Sequence, residues 1–270
     1  MTKIASSFLD ISYLDSLSCQ QSPIHRLDPR AKVIATALFI VSVVSFNKYE
    51  ITGLVPFFLY PVVLIALGEL PLVYLFKKIL LAAPFAVFIG MFNPIIDRAV
   101  LVDLWSVGIS GGWISFASIM LRFVLTVSAV LALIASTGFA SICMSLEKMG
   151  APNSFAVQLL FLYRYIFVLT DEASRMVRAR ALRAFDGRGM GFKVFTSMIG
   201  QLLLRALDRA QRIHRAMRCR GFDGEIRVSR PLAFCRRDGI FVLGWSALFV
   251  LMRLYDVPLW MGERVMGLVR

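Results

Sequence analysis

The stretch "FAVQLLFLYRYIFVLT", Phe155 to Thr170, decides the fold. Read as a membrane crossing, it exports the arginine-rich segment that follows; read as half of a longer helix, it keeps that segment inside. It spans 16 residues and contains Gln158 and Arg164, short of the ~20 clean apolar residues that a crossing needs. A crossing here would also oppose the tendency of positive loops to stay cytoplasmic. The reading adopted is one helix, begun by Pro152 and Asn153 and continued to about Ala184. Its first half is buried against membrane or protein, and its second half is exposed.

Downstream, the pattern predicts a second helix over about Phe192 to Arg220. Phe195, Ile199, Leu202, Ala206, Ala210, Ile213 and Met217 fall at the three-and-four spacing of one apolar stripe. Arg205, Asp208, Arg209, Arg212 and Arg215 lie on the other face. At ~1.5 Å per residue each helix is ~45 Å long. The glycine-rich turn "DGRGMG" (186 to 191) joins them into a hairpin. Both finish alike: "RARALRAFDG" (178 to 187) and "RAMRCRGFDG" (215 to 224) lie 37 residues apart and agree at six of ten positions, including Arg183 with Arg220 and the closing Phe-Asp-Gly. The same offset aligns Asp171 with Asp208, Arg175 with Arg212 and Ala179 with Ala216. A period seen twice is no solenoid; it suggests two equivalent docking ends.

Upstream, the chain reads as membrane. Of 270 residues, 58% are hydrophobic and 17% charged, too apolar for a soluble domain, and the net charge is +13. Residues 138 to 237 hold 18 Lys/Arg against 7 Asp/Glu, so this block is expected in the cytoplasm. "HRLDPRAK" (His25 to Lys32) is a cationic cluster with an Asp-Pro turn where the chain first enters the bilayer. Spans are expected at 33 to 46, 51 to 68, 79 to 96, 112 to 137 and 240 to 255. "ELPLVYLFKK" (69 to 78) reads as an interfacial connector, and 97 to 113 as a short extracellular hairpin or loop. Arg122 lies inside the fourth span, where an unpaired charge costs on the order of 3 kcal/mol; it snorkels, finds a structural partner, or contacts another protein. The segments are then 1 to 137, an N-terminal stretch with four spans; 138 to 237, a cytoplasmic coupling-helix region; and 238 to 270, the last span and a tail. The first apolar run follows about 30 residues with charges and a proline, which does not fit a cleaved signal peptide.

Enzyme chemistry finds little support. There is no glycine-rich phosphate loop. His25 and His214 are the only histidines, and neither they nor Cys19, Cys143, Cys219 and Cys235 fall at metal-ligand spacing. Carboxylates at helical spacing, which a lipid-modifying enzyme would need for its metals, are missing. A stand-alone channel would need polar residues converging in the spans, and few occur. The basic block lacks interleaved base-stacking aromatics, which argues against nucleic acid as a partner. The sequence points to no cofactor and no metal of its own. Cations and a glycine at a helix C-terminus are ordinary capping. What capping leaves unexplained is the repetition, with a small residue (Ala184, Gly221) beside each arginine. A small neighbour admits a partner's backbone, and Arg offers a rigid five-donor fork. Protein docking, anionic-lipid contact and a phosphorylated small molecule all fit that chemistry.

"HRLDPRAK", the "STG" beginning at Ser136, "LEKMGAP" (146 to 152), "LRAFD" and "CRGFD" resemble the transmembrane T component of energy-coupling-factor transporters, most closely the CbiQ type of cobalt transporter. The similarity covers about residues 20 to 255. It implies an all-α membrane protein of the cell inner membrane, with about five transmembrane helices and long amphipathic cytoplasmic coupling helices in an L-shaped arrangement. It also implies a non-catalytic subunit that scaffolds two copies of an ABC-type ATPase and a substrate-capture membrane subunit of the CbiM kind, with or without a small CbiN-like subunit. In that family each X-Arg-X helix end inserts into a groove on one ATPase. Those motifs fall here on Leu182, Arg183 and Ala184 and on Cys219, Arg220 and Gly221, followed by Phe185 and Phe222. The family often has Ala-Arg-Gly at the first end, so an alternative register centred on Arg180 stays open. Met176, Met198 and Met217 are expected to offer the capture subunit an adaptable surface.

Overall fold

The computed structural model describes residues 13, 15–20, 22–96, 100–104, 107–183, 191–224 and 234–254. After a short helical stretch at residues 15 to 18, α1 (Pro29–Val44) starts where Asp28 Oδ1 accepts the amide of Arg30 at 2.9 Å and Pro29 supplies a helical φ at the first position. A turn at Asn47 to Glu50 leads into a 3₁₀ segment (Thr52–Phe58) and α2 (Leu59–Leu67). Next come α3 (Leu72–Gly90), the single turn α4 (Asn93–Ile96), and an antiparallel hairpin of β1 (Val100–Leu104) and β2 (Val107–Ser110). Then follow α5 (Gly111–Thr137), α6 (Phe139–Lys148), α7 (Asn153–Arg183), α8 (Phe192–Cys219) and α9 (Arg236–Leu254). The chain is an all-α membrane protein carrying one small β-hairpin in the stretch expected as hairpin or loop.

Among the described residues three helices, α3, α5 and α7, are long and apolar enough to cross a membrane; the apolar run Thr52–Leu67 is shorter. α3 shows why: Val73, Phe76, Leu80, Leu81, Phe85 and Phe88 all stand exposed on it, a surface that suits hydrocarbon rather than water. It also begins earlier than expected. Residues 72 to 78, part of the stretch 69 to 78 read as a connector because Lys77 and Lys78 close it, form its first two turns. Lys77 is exposed, and Lys78 is half-buried with its Nζ 5.3 Å from the ring centroid of Tyr74, one turn back. The stretch around Phe155 to Thr170 is continuous with the arginine-bearing segment in one helix of 31 residues, as read from Pro152 and Asn153. By length and composition α7 can cross a membrane, the possibility that its polar residues and charge pattern had argued against.

Packing divides the chain into two units. One comprises Leu14–Gly138 and Leu232–Arg270. Its core is aromatic: Phe39 stacks on Tyr60 with centroids 4.7 Å apart, Phe249 lies 5.3 Å from Tyr60, and Trp245 meets Tyr60 edge-on at 4.9 Å. Each such pair adds about 0.5–1.5 kcal/mol beyond its buried area. The buried phenol of Tyr60 shares a hydrogen bond with Thr36 Oγ1 at 2.8 Å. Ala31 and Ala35 on α1 and Ala129, Ala132 and Ala135 on α5 are fully buried, and these small side chains let the two helices approach closely.

The other unit comprises Met1–Tyr13 and Phe139–Pro231. Here α6 packs on α7, with Phe139 stacked on Tyr163 at 4.6 Å. The turn between them explains "LEKMGAP": Gly150 has φ +111°, its amide reaches the Glu147 carbonyl at 3.1 Å, and the Ala151 amide reaches that of Leu146 at 3.0 Å. This is a Schellman closure followed by proline, which cannot continue the helix. α8 lies along α7 and buries none of its side chains.

Candidate functional site: two arginine-tipped helix ends

At the end of α7, Arg180, Leu182 and Arg183 are all exposed, Leu182 to 82%. Ala184 and Phe185 lie outside the described residues. At the end of α8, Cys219 closes the helix, Arg220 is its C-cap, and both are exposed. Gly221 has φ +79°, a left-handed conformation that costs a side-chain-bearing residue on the order of 1 kcal/mol. The Gly221 amide bonds the Arg218 carbonyl at 3.1 Å and the Phe222 amide bonds that of Met217 at 3.0 Å, again a Schellman closure. Phe222 is half-buried. The glycine thus has a backbone reason as well as the steric one inferred from the repeat. Its Cβ direction is open space.

Arg180 and Arg183 also line a cleft of about 700 Å³ between α7 and α8, with Glu172, Lys193 and Arg205. Arg205 reaches across it to pair with Glu172, and Arg175 pairs with Asp171 at 2.7 Å along α7. These carboxylates hold Arg175 and Arg205; neither engages Arg180, Arg183 or Arg220. Among the described residues no carboxylate pairs with either tip. The apolar pattern of α8 differs from the expected stripe. Val194, Met198, Leu202, Ala206, Ile213 and Met217 are the half-covered row, while Phe192, Phe195, Ile199, Leu203 and Leu207 stand exposed one step round the helix. Met176 and Met198 line the cleft between the two helices, so the outward apolar row is built of phenylalanine, isoleucine and leucine instead.

Arg122 donates to the Asn47 carbonyl at 2.6 Å, the structural role among those weighed for it. Arg253, which the sequence did not single out, grips the same turn through the Ser45 carbonyl at 3.2 Å and the face of Phe46.

The sequence also hid a buried charge cluster. "HRLDPRAK" reads as a cationic cluster at the entry to the bilayer, yet Lys32 is only 2% exposed and donates to the Ser136 carbonyl at 2.9 Å. Asp238, 4% exposed, accepts the Asp28 amide at 2.9 Å through Oδ1 and the Cys235 amide at 2.8 Å through Oδ2. The second bond caps α9 from its third position. Asp28, Lys32 and Asp238 thus tie the starts of α1 and α9 to the end of α5. Beside them His25 accepts from or donates to Ser22 Oγ at 2.7 Å, and its Nε2 faces the Leu17 carbonyl at 3.1 Å. A carbonyl only accepts, so Nε2 carries the proton and Nδ1 accepts from Ser22. Burial, and secondarily the Lys32 charge, push the imidazole pKa below its usual 6.5. Among the described residues no group of His, Cys, Asp and Glu could hold a metal ion.

A family model described as CbiQ, cobalt transport protein, matches residues 20–231. The energy-coupling factor transporter transmembrane protein EcfT of Heliobacterium modesticaldum is 28% identical over 263 residues, covering 88% of this chain and 95% of that one. The EcfT of Ruminiclostridium cellulolyticum is 25% identical over 246 residues, 85% and 91% of the two chains. The cobalt transport protein CbiQ of Rhodobacter capsulatus is 34% identical over 101 residues, 36% of this chain and 41% of its own.

Proposed function

Because the chain belongs to the CbiQ cobalt transport protein family, the transmembrane T components of energy-coupling-factor transporters, we propose that it is the coupling subunit of an ATP-driven importer, with α7 and α8 as levers on the cytoplasmic side. Each lever ends in a guanidinium group that docks into one of two ABC-type ATPase subunits, Arg183 at the first end and Arg220 at the second. The observation that carries this reading is the state of the ends themselves: Leu182 is 82% exposed beside Arg183, and neither Arg183 nor Arg220 meets a carboxylate among the described residues. An exposed apolar side chain and a five-donor fork that meets no carboxylate among the described residues suit a groove on another protein.

The ATPases approach on binding ATP and separate after hydrolysis. Since each holds one helix end, that motion shifts α7 against α8. The exposed row Phe192, Phe195, Ile199, Leu203 and Leu207 gives a substrate-capture membrane subunit, CbiM-like in this reading, an apolar surface to ride on. Cobalt is the proposed cargo, and its ligands would lie on the capture subunit. The chain itself is non-catalytic and resides in the inner membrane. Arg183→Ala and Arg220→Ala should each weaken co-purification of the ATPase and lower metal uptake in cells, with the double variant worse than either. A double variant that assembles and transports like the parent would overturn the docking.

A further inference from the structure

At one end of α9, Pro23, Arg26, Leu27, Cys235, Arg236, Arg237 and Asp238 enclose a cavity of about 730 Å³. Three guanidinium groups line it, and none forms an ion pair with a carboxylate among the described residues. The one acid present, Asp238, has both oxygens taken by the amides of Asp28 and Cys235. Its charge is thus spent on the buried cluster beneath, and the cavity faces outward as a cationic site. The same helix continues the site lengthwise. From Arg236 the exposed positions run Ile240, Leu243, Ala247, Val250 and Leu254, one face of α9, while Phe241, Trp245 and Phe249 turn inward to the aromatic core. A guanidinium head therefore stands about one turn above an exposed apolar stripe that continues for about four turns.

We propose that this cavity binds the headgroup of an anionic phospholipid, its phosphate held by Arg26, Arg236 and Arg237 and its acyl chains lying along Ile240, Leu243 and Val250. Charge complementarity and the depth of the stripe together select this occupant. A free phosphate or an acidic peptide matches the arginines and leaves the stripe bare; a neutral lipid matches the stripe and leaves three cations without an anion. Arg forks phosphate bidentately where Lys offers only a point charge, and basic pockets between membrane helices are suited to such headgroups.

The test uses the full chain, purified in detergent and titrated with phosphatidylglycerol or with phosphatidylcholine of the same acyl composition, bound lipid being counted by native mass spectrometry. The parent should prefer phosphatidylglycerol, and the triple variant Arg26→Gln/Arg236→Gln/Arg237→Gln should lose at least about tenfold of that affinity. The triple Lys variant keeps the charge that orients the chain and should fall between the two, which separates binding from the mere retention of positive loops. Arg212→Gln/Arg215→Gln, on exposed arginines of α8, should leave the preference intact. Should that control lose as much as the Gln triple variant, the effect is bulk charge and the proposal fails. It fails equally if the two lipids bind alike, if inorganic phosphate displaces phosphatidylglycerol at matched concentration, or if the Lys variant, extracted from membranes in normal yield, binds like the parent with Gln variants equally unimpaired.

Discussion

Lys32 sits in the first turn of α1 with its ammonium sealed against the end of α5, in the company of two carboxylates that are themselves almost fully covered. Removing one partner of such a set leaves charge stranded in a low-dielectric site, which costs about 3–5 kcal/mol. Lys32→Met should accordingly lower the thermal midpoint of the purified protein sharply. Adding Asp238→Asn removes the stranded negative charge but leaves one of the Asp28 and Cys235 amides facing an NH2 group, so the two changes should be non-additive; a double-mutant cycle with no coupling would show that the two do not share a site. His25 gives a pH signature from the same region. Its pKa is lowered in the fold by burial and by Lys32, with the Leu17 and Ala135 carbonyls and Glu69 opposing more weakly. The folded state then binds the proton less well than the unfolded chain. The imidazole's contribution is complete above about pH 6.5, the unfolded value, and is lost as pH falls through it toward the depressed folded value. Protonation also removes the acceptor that Nδ1 offers Ser22. Thermal midpoints measured from pH 7.5 down to 5 should therefore drop more steeply for the parent than for His25→Asn. Parallel slopes would mean that other groups set the acid sensitivity.

At the level of the element, the closure of α8 separates what the backbone requires from what a partner requires. Gly221 holds φ +79° with open space where a Cβ would go, so Gly221→Ala carries only a backbone penalty of about 1 kcal/mol. Hydrogen exchange at the Gly221 and Phe222 amides should quicken while the midpoint of the core unit stays put, since neither amide belongs to it. Gly221→Asn, which tolerates the left-handed region better, should fray less. The same kind of local chemistry explains which elements could be read in advance. The bounds of α7 and α8 follow from Pro152 with Asn153, from Gly191 and from Gly221, all signals written into adjacent residues. The start of α3 does not, because Lys77 and Lys78 look like an end and instead lie inside the helix, Lys77 exposed and Lys78 over the Tyr74 ring. Nor does the rotation of α8's covered row: composition makes Phe195 and Leu202 equally apolar, and only the neighbouring helix decides which one is sheltered. The buried cluster was least legible of all. Asp28 and Asp238 are 210 positions apart, and no local pattern says that the lysine between "DPRA" and an apolar run will be the one buried.

For the molecule as a whole, the 37-residue repeat proposes that two ends do one job on two copies of the same partner. Their tips differ at the residues flanking arginine: Leu182 and Ala184 at the first, Cys219 and Gly221 at the second. If the ends are equivalent sockets' plugs, the flanks are tolerances and the arginines are requirements. Converting the first end to the second, by Leu182→Cys with Ala184→Gly, should then leave ATPase capture within about twofold of the parent, well under the 1.4 kcal/mol that a tenfold change represents. Replacing one arginine should weaken it by removing the effective concentration that two contacts give each other, and replacing both Arg183 and Arg220 should abolish it, because neither plug is then left. Arg180 provides the internal check. It lies one turn back and lines the cleft between α7 and α8, so Arg180→Ala should loosen the hairpin more than it weakens capture. If Arg180→Ala instead abolishes capture while Arg183→Ala does not, the first plug is centred one turn earlier and the two ends are no longer related by the 37-residue offset. Binding of the ATPase to each variant, measured on the detergent-solubilised chain with the nucleotide state held fixed, distinguishes these outcomes, since motion of the partner cannot then compensate for a lost plug.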